Sequence, residues 1–398
     1  FRKMQYYTDN INQVTRENMT GMRVVRANNA EQYEEDKFDK ANEEYTVNAL
    51  KARRAMGLMQ PVTKFVNNEL NVGIYCIGAF LIAQSNSAEQ LEIFSEMVVF
   101  STYAARIVRA FMGLNMIFNM IPRASVSAER INEVLDTELS IHDGNIDAKL
   151  EQSGCMEFKD VSFYYPEATT PALSHISFTA NKGQTIAFIG STGSGKSTII
   201  NLMMRFYDPS SGSIAVDGID IKDYKQNNLR EKMGYASQQA ILFTGTIRSN
   251  IAYAKKDIEE KVRRAVRIAQ AEDFVSHKEG DINAKITRGG TNVSGGQKQR
   301  LSVARAVYRE PEFYLFDDTF SALDYKTDRI LRKTLKEETA GITTFIVAQR
   351  IGTIKDADKI LVLDEGKIVG EGTHQELMEN CQIYKEIAYT QLSKEELA

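Results

Sequence analysis

Nine residues at positions 190–198, GSTGSGKST, constrain the fold of this chain more than any others. They fit G-x-x-x-x-G-K-[ST], in which glycines let successive main-chain N–H groups converge on an anion. Gly190, Ser191, Gly193, Ser194 and Gly195 form the loop, and Thr198 follows it. Lys196 can reach the β- and γ-phosphates of a nucleotide, and Ser197 can hold Mg²⁺. The plainer reading is a glycine-rich turn with no ligand. The flanks weigh against it. Thr185-Ile-Ala-Phe-Ile189 is a short apolar run of strand character, and residues 198–205 read as a helix. Strand, loop and helix together predict an α/β unit that binds a nucleoside triphosphate.

A chain of 398 residues is expected to hold two or three domains. The formal net charge of -4 and a pI near 5.8 give no reason to expect a nucleic-acid partner. Cys76, Cys155 and Cys381 are scattered, with no pair at metal-ligand spacing. That suits a reducing compartment without structural disulfides. The chain opens on Phe-Arg-Lys with no initiator Met and no signal peptide, so it is expected to be part of a longer chain.

The first 139 residues differ in character from the rest. Met4, Tyr7, Ile11 and Val14 recur at helical spacing, as do Phe38, Ala41, Tyr45, Ala52, Met56 and Met59. Residues 72–83 carry no charge, and residues 97–121 are mostly apolar but include Arg106 and Arg109. Neither stretch reaches the roughly twenty apolar residues of a membrane span. Each reads either as a buried core helix or as a membrane helix with one polar face. Asn67, Asn68 and Glu69 would fit the second case, because polar groups in a membrane usually face a cavity.

Residues 140–153 read as a linker, punctuated by His142-Asp-Gly-Asn145. An α/β pattern follows over 154–398. Strands are expected at 158–165, 212–218, 313–316, 343–347 and 359–363, with a hairpin turn at Asp364-Glu-Gly366 and mainly helix between about 245 and 310.

Phe313-Tyr-Leu-Phe-Asp317 is an apolar run ending in a carboxylate. In phosphate-loop enzymes such an Asp sits behind Mg²⁺. Asp318 follows, where a second carboxylate would orient the attacking water. Val293-Ser-Gly-Gly-Gln297 precedes a helical segment at 298–309, and small residues at a helix start expose free N–H groups to an anion.

Together these motifs resemble the ATP-binding cassette family over residues 155 to about 390. The resemblance makes 190–198 the Walker A motif, 313–317 the Walker B motif and VSGGQ the signature. It implies that Tyr165 stacks on adenine, that Gln238 is the Q-loop glutamine near Mg²⁺, and that Ser321-Ala-Leu-Asp324 is the D-loop. It also implies that two cassettes face each other. Each ATP then lies between one chain's Walker motifs and Ser294, Gly295, Gly296 and Gln297 of the other. The exporter subgroup resembles the first 139 residues as well. It implies the end of a fourth membrane helix, a coupling turn near Gly21 to Ala30 that docks on the partner's cassette, and the fifth and sixth helices. Asn28 stands in that turn where the family often has an aromatic residue.

Two departures from the family fall in one site. Asp318 stands where the family usually has a catalytic Glu, and Gln349 where it usually has a switch His. The shorter side chain draws the carboxylate back by about 1.5 Å, one C–C bond. Gln349 can donate a hydrogen bond but cannot carry an imidazolium's charge. The expectation is a subunit of a heterodimeric bacterial exporter of drug-like or lipid-like molecules, multi-pass in the cell membrane with its cassette in the cytoplasm. Its own site, with ATP and Mg²⁺, would hydrolyse poorly, and its signature would complete the competent site of a non-identical partner. A slow homodimer and a non-hydrolysing regulatory subunit are the alternatives.

Overall fold

The computed structural model describes residues 2–87, 89–146 and 154–391, so residues 147–153 of the expected linker lie outside the described residues. The chain divides into two compact units, Phe1–Glu138 and Leu139–Ala398.

The first unit consists of three helices: α1 (Arg2–Ala27), α2 (Glu31–Gln84) and α3 (Gln90–Leu135). Helix α1 runs straight through Gly21, so the turn is confined to residues 28–30 rather than beginning at Gly21. An isolated glycine costs a helix only about 1 kcal/mol, too little to end one. The chain turns where Asn29 adopts a positive φ of 50°. Asparagine tolerates that region better than most residues.

Helix α2 has 54 residues, about 80 Å at 1.5 Å per residue. Residues 31–54 are dense in Glu, Lys and Arg, whereas residues 65–83 carry Glu69 as their sole charge. Pro61 lies near this changeover and leaves one helical hydrogen bond unmade. Helix α2 and residues Gln90–Leu114 of α3 are long and apolar enough to cross a membrane. Almost none of their apolar windows is buried within the protein. Ile77, Phe80, Ile107 and Phe111 stand exposed. An apolar surface this extensive calls for a covering of lipid or of further helices. Polar contacts knit the unit. Lys37 pairs with Glu17 at 2.9 Å between α1 and α2, and Ser101 Oγ donates to Asn71 Oδ1 at 2.7 Å between α2 and α3.

The second unit is α/β. In chain order its strands are β1 (Met156–Phe163), β2 (Leu173–Ala180), β3 (Thr185–Gly190), β4 (Ser211–Val216), β5 (Ile219–Asp220), β6 (Met233–Ala236), β7 (Gly245–Thr246), β8 (Lys285–Ile286), β9 (Phe313–Asp317), β10 (Thr343–Val347), β11 (Lys359–Asp364) and β12 (Lys367–Gly372). The helices are α4 (Lys196–Met203), α5 (Gln226–Glu231), α6 (Ile247–Ile251), α7 (Glu259–Ile268), α8 (Glu272–Ser276), α9 (Gly295–Tyr308), α10 (Tyr325–Glu338), α11 (Ile351–Ile354), α12 (His374–Asn380) and α13 (Gln382–Gln391).

Two sheets dominate. An antiparallel sheet runs β2-β1-β4-β5, and a larger one runs β12-β11-β3-β10-β9-β6. In the larger sheet β12 is antiparallel and the other strands are parallel. Every residue of β9 is buried, as expected of a parallel strand covered on both faces. Phe345 of β10 lies between Phe188 of β3 and Phe313 of β9, with ring centroids 6.3 and 6.4 Å away. Each such ring contributes about 1.5–3 kcal/mol of burial. The row fixes the order of the three strands that carry the site. Strand β1 ends at Phe163, so Tyr164 and Tyr165 fall outside it, two residues short of the expected end.

Part of the expected linker is anchored. Arg205, just beyond α4 and buried, donates from Nη2 to His142 O at 2.8 Å and from Nη1 to Tyr224 O at 3.1 Å. Gly144 N and Ile146 N donate to Tyr224 O and Asp223 O, and Gln226 donates twice to Asp143 Oδ1. Residues 142–146 therefore lie against the cassette as a short strap.

Candidate functional site

Strand order explains how distant residues meet. In the run β3-β10-β9-β6 the carboxyl ends lead, respectively, to the glycine-rich loop, to Gln349, to Asp317 and Asp318, and to Gln238. Crevices outside the carboxyl ends of parallel strands are where α/β sheets bind ligands.

The loop folds around its own lysine. Lys196 Nζ donates to Gly190 O at 3.0 Å, to Ser191 O at 2.6 Å and to Ser194 Oγ at 3.4 Å. Gly195 precedes α4 with φ 97°, a conformation open to glycine and strained for other residues. Among the described residues no carboxylate lies within ion-pair distance of the buried Lys196 ammonium, and burial lowers its pKa against the pull of Asp318 and Asp317. A desolvated cation at a helix start, held by neutral oxygens, is a seat for phosphate.

Ser197 Oγ donates to Asp317 Oδ1 at 2.9 Å across 120 positions of sequence. Burial is the main cause that raises the Asp317 carboxyl above its ordinary range, and the neighbouring Asp318 adds to it. A hydroxyl and an under-compensated carboxylate fit a hard cation that keeps several waters, so Ser197 and Asp317 would hold Mg²⁺.

Asp318 adopts φ 45° and accepts at Oδ2 from Gln349 Nε2 at 2.8 Å and, more weakly, from Gln238 Nε2 at 3.5 Å. Burial raises its carboxyl too, opposed by the hydrogen bond with Ser321, by the charge of Lys196 and by the amide of Gln238. Gln238 thus faces the turn that carries Asp317 and Asp318. Thr319 Oγ1 donates to Ala236 O at 2.9 Å and fixes the turn after β9.

Tyr165 OH lies 3.1 Å from Thr198 Oγ1, and its ring meets Phe163 and Tyr207 edge-on at 4.9 and 5.3 Å. The loop, Tyr165 and Thr198 form one wall.

The VSGGQ segment is built as a capped helix start. Ser294 Oγ accepts from Gln297 N while Gln297 Oε1 accepts from Ser294 N, a capping box. The first intrahelical bond here is Lys298 N to Ser294 O, so the N–H groups of Gly295 and Gly296 have no partner in the helix. A Cβ on Gly296 would come within 3.1 Å of Ala322 O, so the D-loop and the signature touch. Asp324 caps α10 by accepting from Thr327 N at 2.9 Å, which lowers its pKa. The side chains of Gln297 and Asp324 are engaged in these caps.

Sequence reasoning missed Gln299. It is buried in α9, and its Nε2 donates to Gln238 O at 2.6 Å. A glutamine on the apolar face of a helix was the available signal.

A phosphate loop, paired carboxylates and a glycine-capped helix on these strands define an ATP-binding cassette. The ABC transporter family matches at residues 173–321, and the ABC transporter transmembrane region matches at residues 1–111. An uncharacterized ABC transporter ATP-binding protein of Mycobacterium bovis is 40% identical over 98% of this chain and 67% of its own length. An ATP-dependent lipid A-core flippase of Saccharophagus degradans is 37% identical over 98% of this chain and 65% of its own. A probable multidrug resistance ABC transporter of Bacillus subtilis is 35% identical over 93% and 63%. A bacterial Atm1-family ABC exporter solved with ATP bound superposes with a TM-score of 0.87 at 29% identity, covering 99% of this chain and 69% of that one. The chain therefore belongs to the ABC transporter family. It is a membrane-bound transport ATPase of the exporter type, with a cytoplasmic ATP-binding domain, and it spans about two thirds of the length of these relatives.

Proposed function

We propose that this chain is one subunit of a heterodimeric exporter and binds ATP at a site that turns over slowly. The observation that carries this reading is the Gln349–Asp318 pair beside an intact phosphate seat. Gln349 directs its amide donor to the carboxylate, where a switch histidine would be free to meet the γ-phosphate. The carboxylate is one methylene short of the reach expected for a water-orienting base. Displacement of a catalytic group by about 1 Å can cost around a hundredfold in rate.

In this reading Lys196 and the loop hold the phosphates, and Tyr165 packs on the adenine. Ser197 and Asp317 hold Mg²⁺, which when bound neutralises phosphate charge. Ser294, Gly295 and Gly296 act across the interface, completing the site of a partner that keeps Glu and His. The turn at residues 28–30 docks on that partner's cassette. ATP binding closes the two cassettes, and the membrane helices switch from inward- to outward-facing. Residues 1–139 form the membrane part, 140–153 the linker and 154–398 the cassette. Relatives bearing the names of a lipid flippase and a multidrug transporter support a lipid-like or drug-like substrate, and the bacterial sources of those relatives support a multi-pass protein of a bacterial cell membrane.

Purification from the native membrane tests this. A second, non-identical half-transporter with Glu and His at the matching positions is the expected companion. Recovery of this chain alone, in a complex that hydrolyses ATP rapidly, would sink the reading.

A further inference from the structure

We infer that Gln299 is a positioning residue that couples the two nucleotide sites of the assembled transporter through this subunit. The inference rests on the reading above, that Ser294–Gly296 serves the partner's site while Gln238 serves this chain's own.

Helix α9 begins with the glycines that face the partner's nucleotide. One turn further in, Gln299 Nε2 donates to Gln238 O at 2.6 Å. The side chain of the same Gln238 reaches Asp318 Oδ2 at 3.5 Å, where Gln349 Nε2 also donates at 2.8 Å. A continuous hydrogen-bonded chain thus runs from the signature helix to the carboxylate beside this chain's own phosphate seat. The helix grips the same segment a second time. Arg305 donates to Ile241 O at 3.0 Å, and to Asn250 O and Asn250 Oδ1 at 2.8 and 3.0 Å. Asn250 in turn bonds Phe243 N and O. Helix α9 and residues 238–250 are therefore tied together at two levels, and a displacement of the glycine-capped end draws Gln238 with it.

Packing alone does not account for Gln299. It is 5% exposed, yet its Oε1 has no hydrogen-bond partner. A buried acceptor left unpaired opposes folding, whereas leucine or methionine would fill the same space without that penalty. What the glutamine supplies is its N–H donor, aimed at the main chain of Gln238. The unpaired Oε1 leaves room for a second arrangement in which it too gains a donor, as a two-position coupling element requires.

The test uses the full transporter purified with its native companion. Gln299→Glu keeps the size but removes the donor. Gln299→Leu removes both polar atoms, and Gln299→His restores an N–H. With the donor gone, maximal ATPase should fall about tenfold, read as a loss in kcat. Affinity of the own site for a fluorescent ATP analogue should stay within about twofold, and cooperativity in ATP should disappear. Gln299→His should recover part of both. If Gln299→Glu keeps wild-type rate and cooperativity, the inference is overturned. It also fails if the Glu and Leu variants lose only thermal stability. Gly296→Asp is the control for the underlying reading. If that change leaves turnover intact, the assignment of the signature to the partner's site is wrong. If it stops turnover while the Gln299 variants behave as wild type, only the coupling role is wrong.

Discussion

Gln349 Nε2 donates to Asp318 Oδ2 at 2.8 Å, so the two residues that depart from the family's usual pattern are bonded to each other. Asp318 holds its place by backbone geometry as well, since its φ of 45° falls in a region that aspartate tolerates better than glutamate. The pair is self-satisfied. Its donor and acceptor are spent on one another.

Replacing both members should therefore matter more than replacing either. Asp318→Glu with Gln349→His is expected to raise hydrolysis at this site by about 10- to 100-fold. The measurement is steady-state ATPase in a transporter whose partner site has been silenced. Each single change should give much less, because a lone Glu would still face Gln349. An unchanged rate in the double variant would mean that this site is not limited by these residues.

Lys196→Ala should weaken ATP binding by at least tenfold, in line with about 1.5–3 kcal/mol for a charge-assisted hydrogen bond. The depressed pKa of Lys196 adds a pH signature. Bound phosphate favours the charged amine, so affinity is full while the free protein keeps Lys196 protonated. It declines as pH rises through that lowered pKa, earlier than an ordinary lysine would allow. Fluorescent-nucleotide titration across alkaline pH checks this.

The opposite slope is expected for the metal. Burial raises the Asp317 carboxyl, and a bound cation requires it ionised. Mn²⁺ affinity in the presence of ATP, followed by electron paramagnetic resonance, should be complete above the raised pKa. It should fall as pH drops through it, at a higher pH than for an ordinary aspartate. Asp317→Asn should remove the pH dependence and most of the affinity together.

Stability has its own weak point away from nucleotide. Lys232 Nζ lies 2.9 Å from Asp217 and 2.8 Å from Glu312, with the Lys232 and Asp217 side chains buried and that of Glu312 partly so. Lys232→Met would remove the cation that two neighbouring carboxylates share, at a cost of about 3–5 kcal/mol. Adding Asp217→Asn and Glu312→Gln should recover much of it. Thermal unfolding of the detergent-purified protein distinguishes the two variants, and equal melting temperatures would refute the account.

The phosphate loop, β9 and the capped start of α9 were legible because each is local. A glycine pattern, an apolar run and a Ser-x-x-Gln cap all lie within a few residues. The boundaries of β1 and of the turn after α1 were less so, because Tyr164 and Gly21 carry propensities that packing overrides. What could not be read were the pairings. Ser197 with Asp317, Gln299 with Gln238 and Arg205 with His142 join residues whose separation is set by sheet order, and no local pattern encodes it. The membrane character of α2 and α3 was ambiguous for another reason. Their uncharged stretches are short, and it is the match of residues 1–111 to the ABC transporter transmembrane region, with Phe80 and Phe111 exposed, that separates a membrane helix from a core.

Pro61 divides the long second helix into unequal mechanical parts. Residues 61–84 measure about 36 Å, close to the roughly 30 Å of a bilayer's hydrocarbon, while the more highly charged residues 31–60 measure about 45 Å. Proline cannot donate to the carbonyl of Gly57 four residues earlier, and Gly57 has no side chain to brace the gap. The weakest joint of the rod thus falls near where its charged part meets its apolar part. A push on its charged end would reach the apolar end as a bend at this one joint, with the apolar end swinging as a stiff piece.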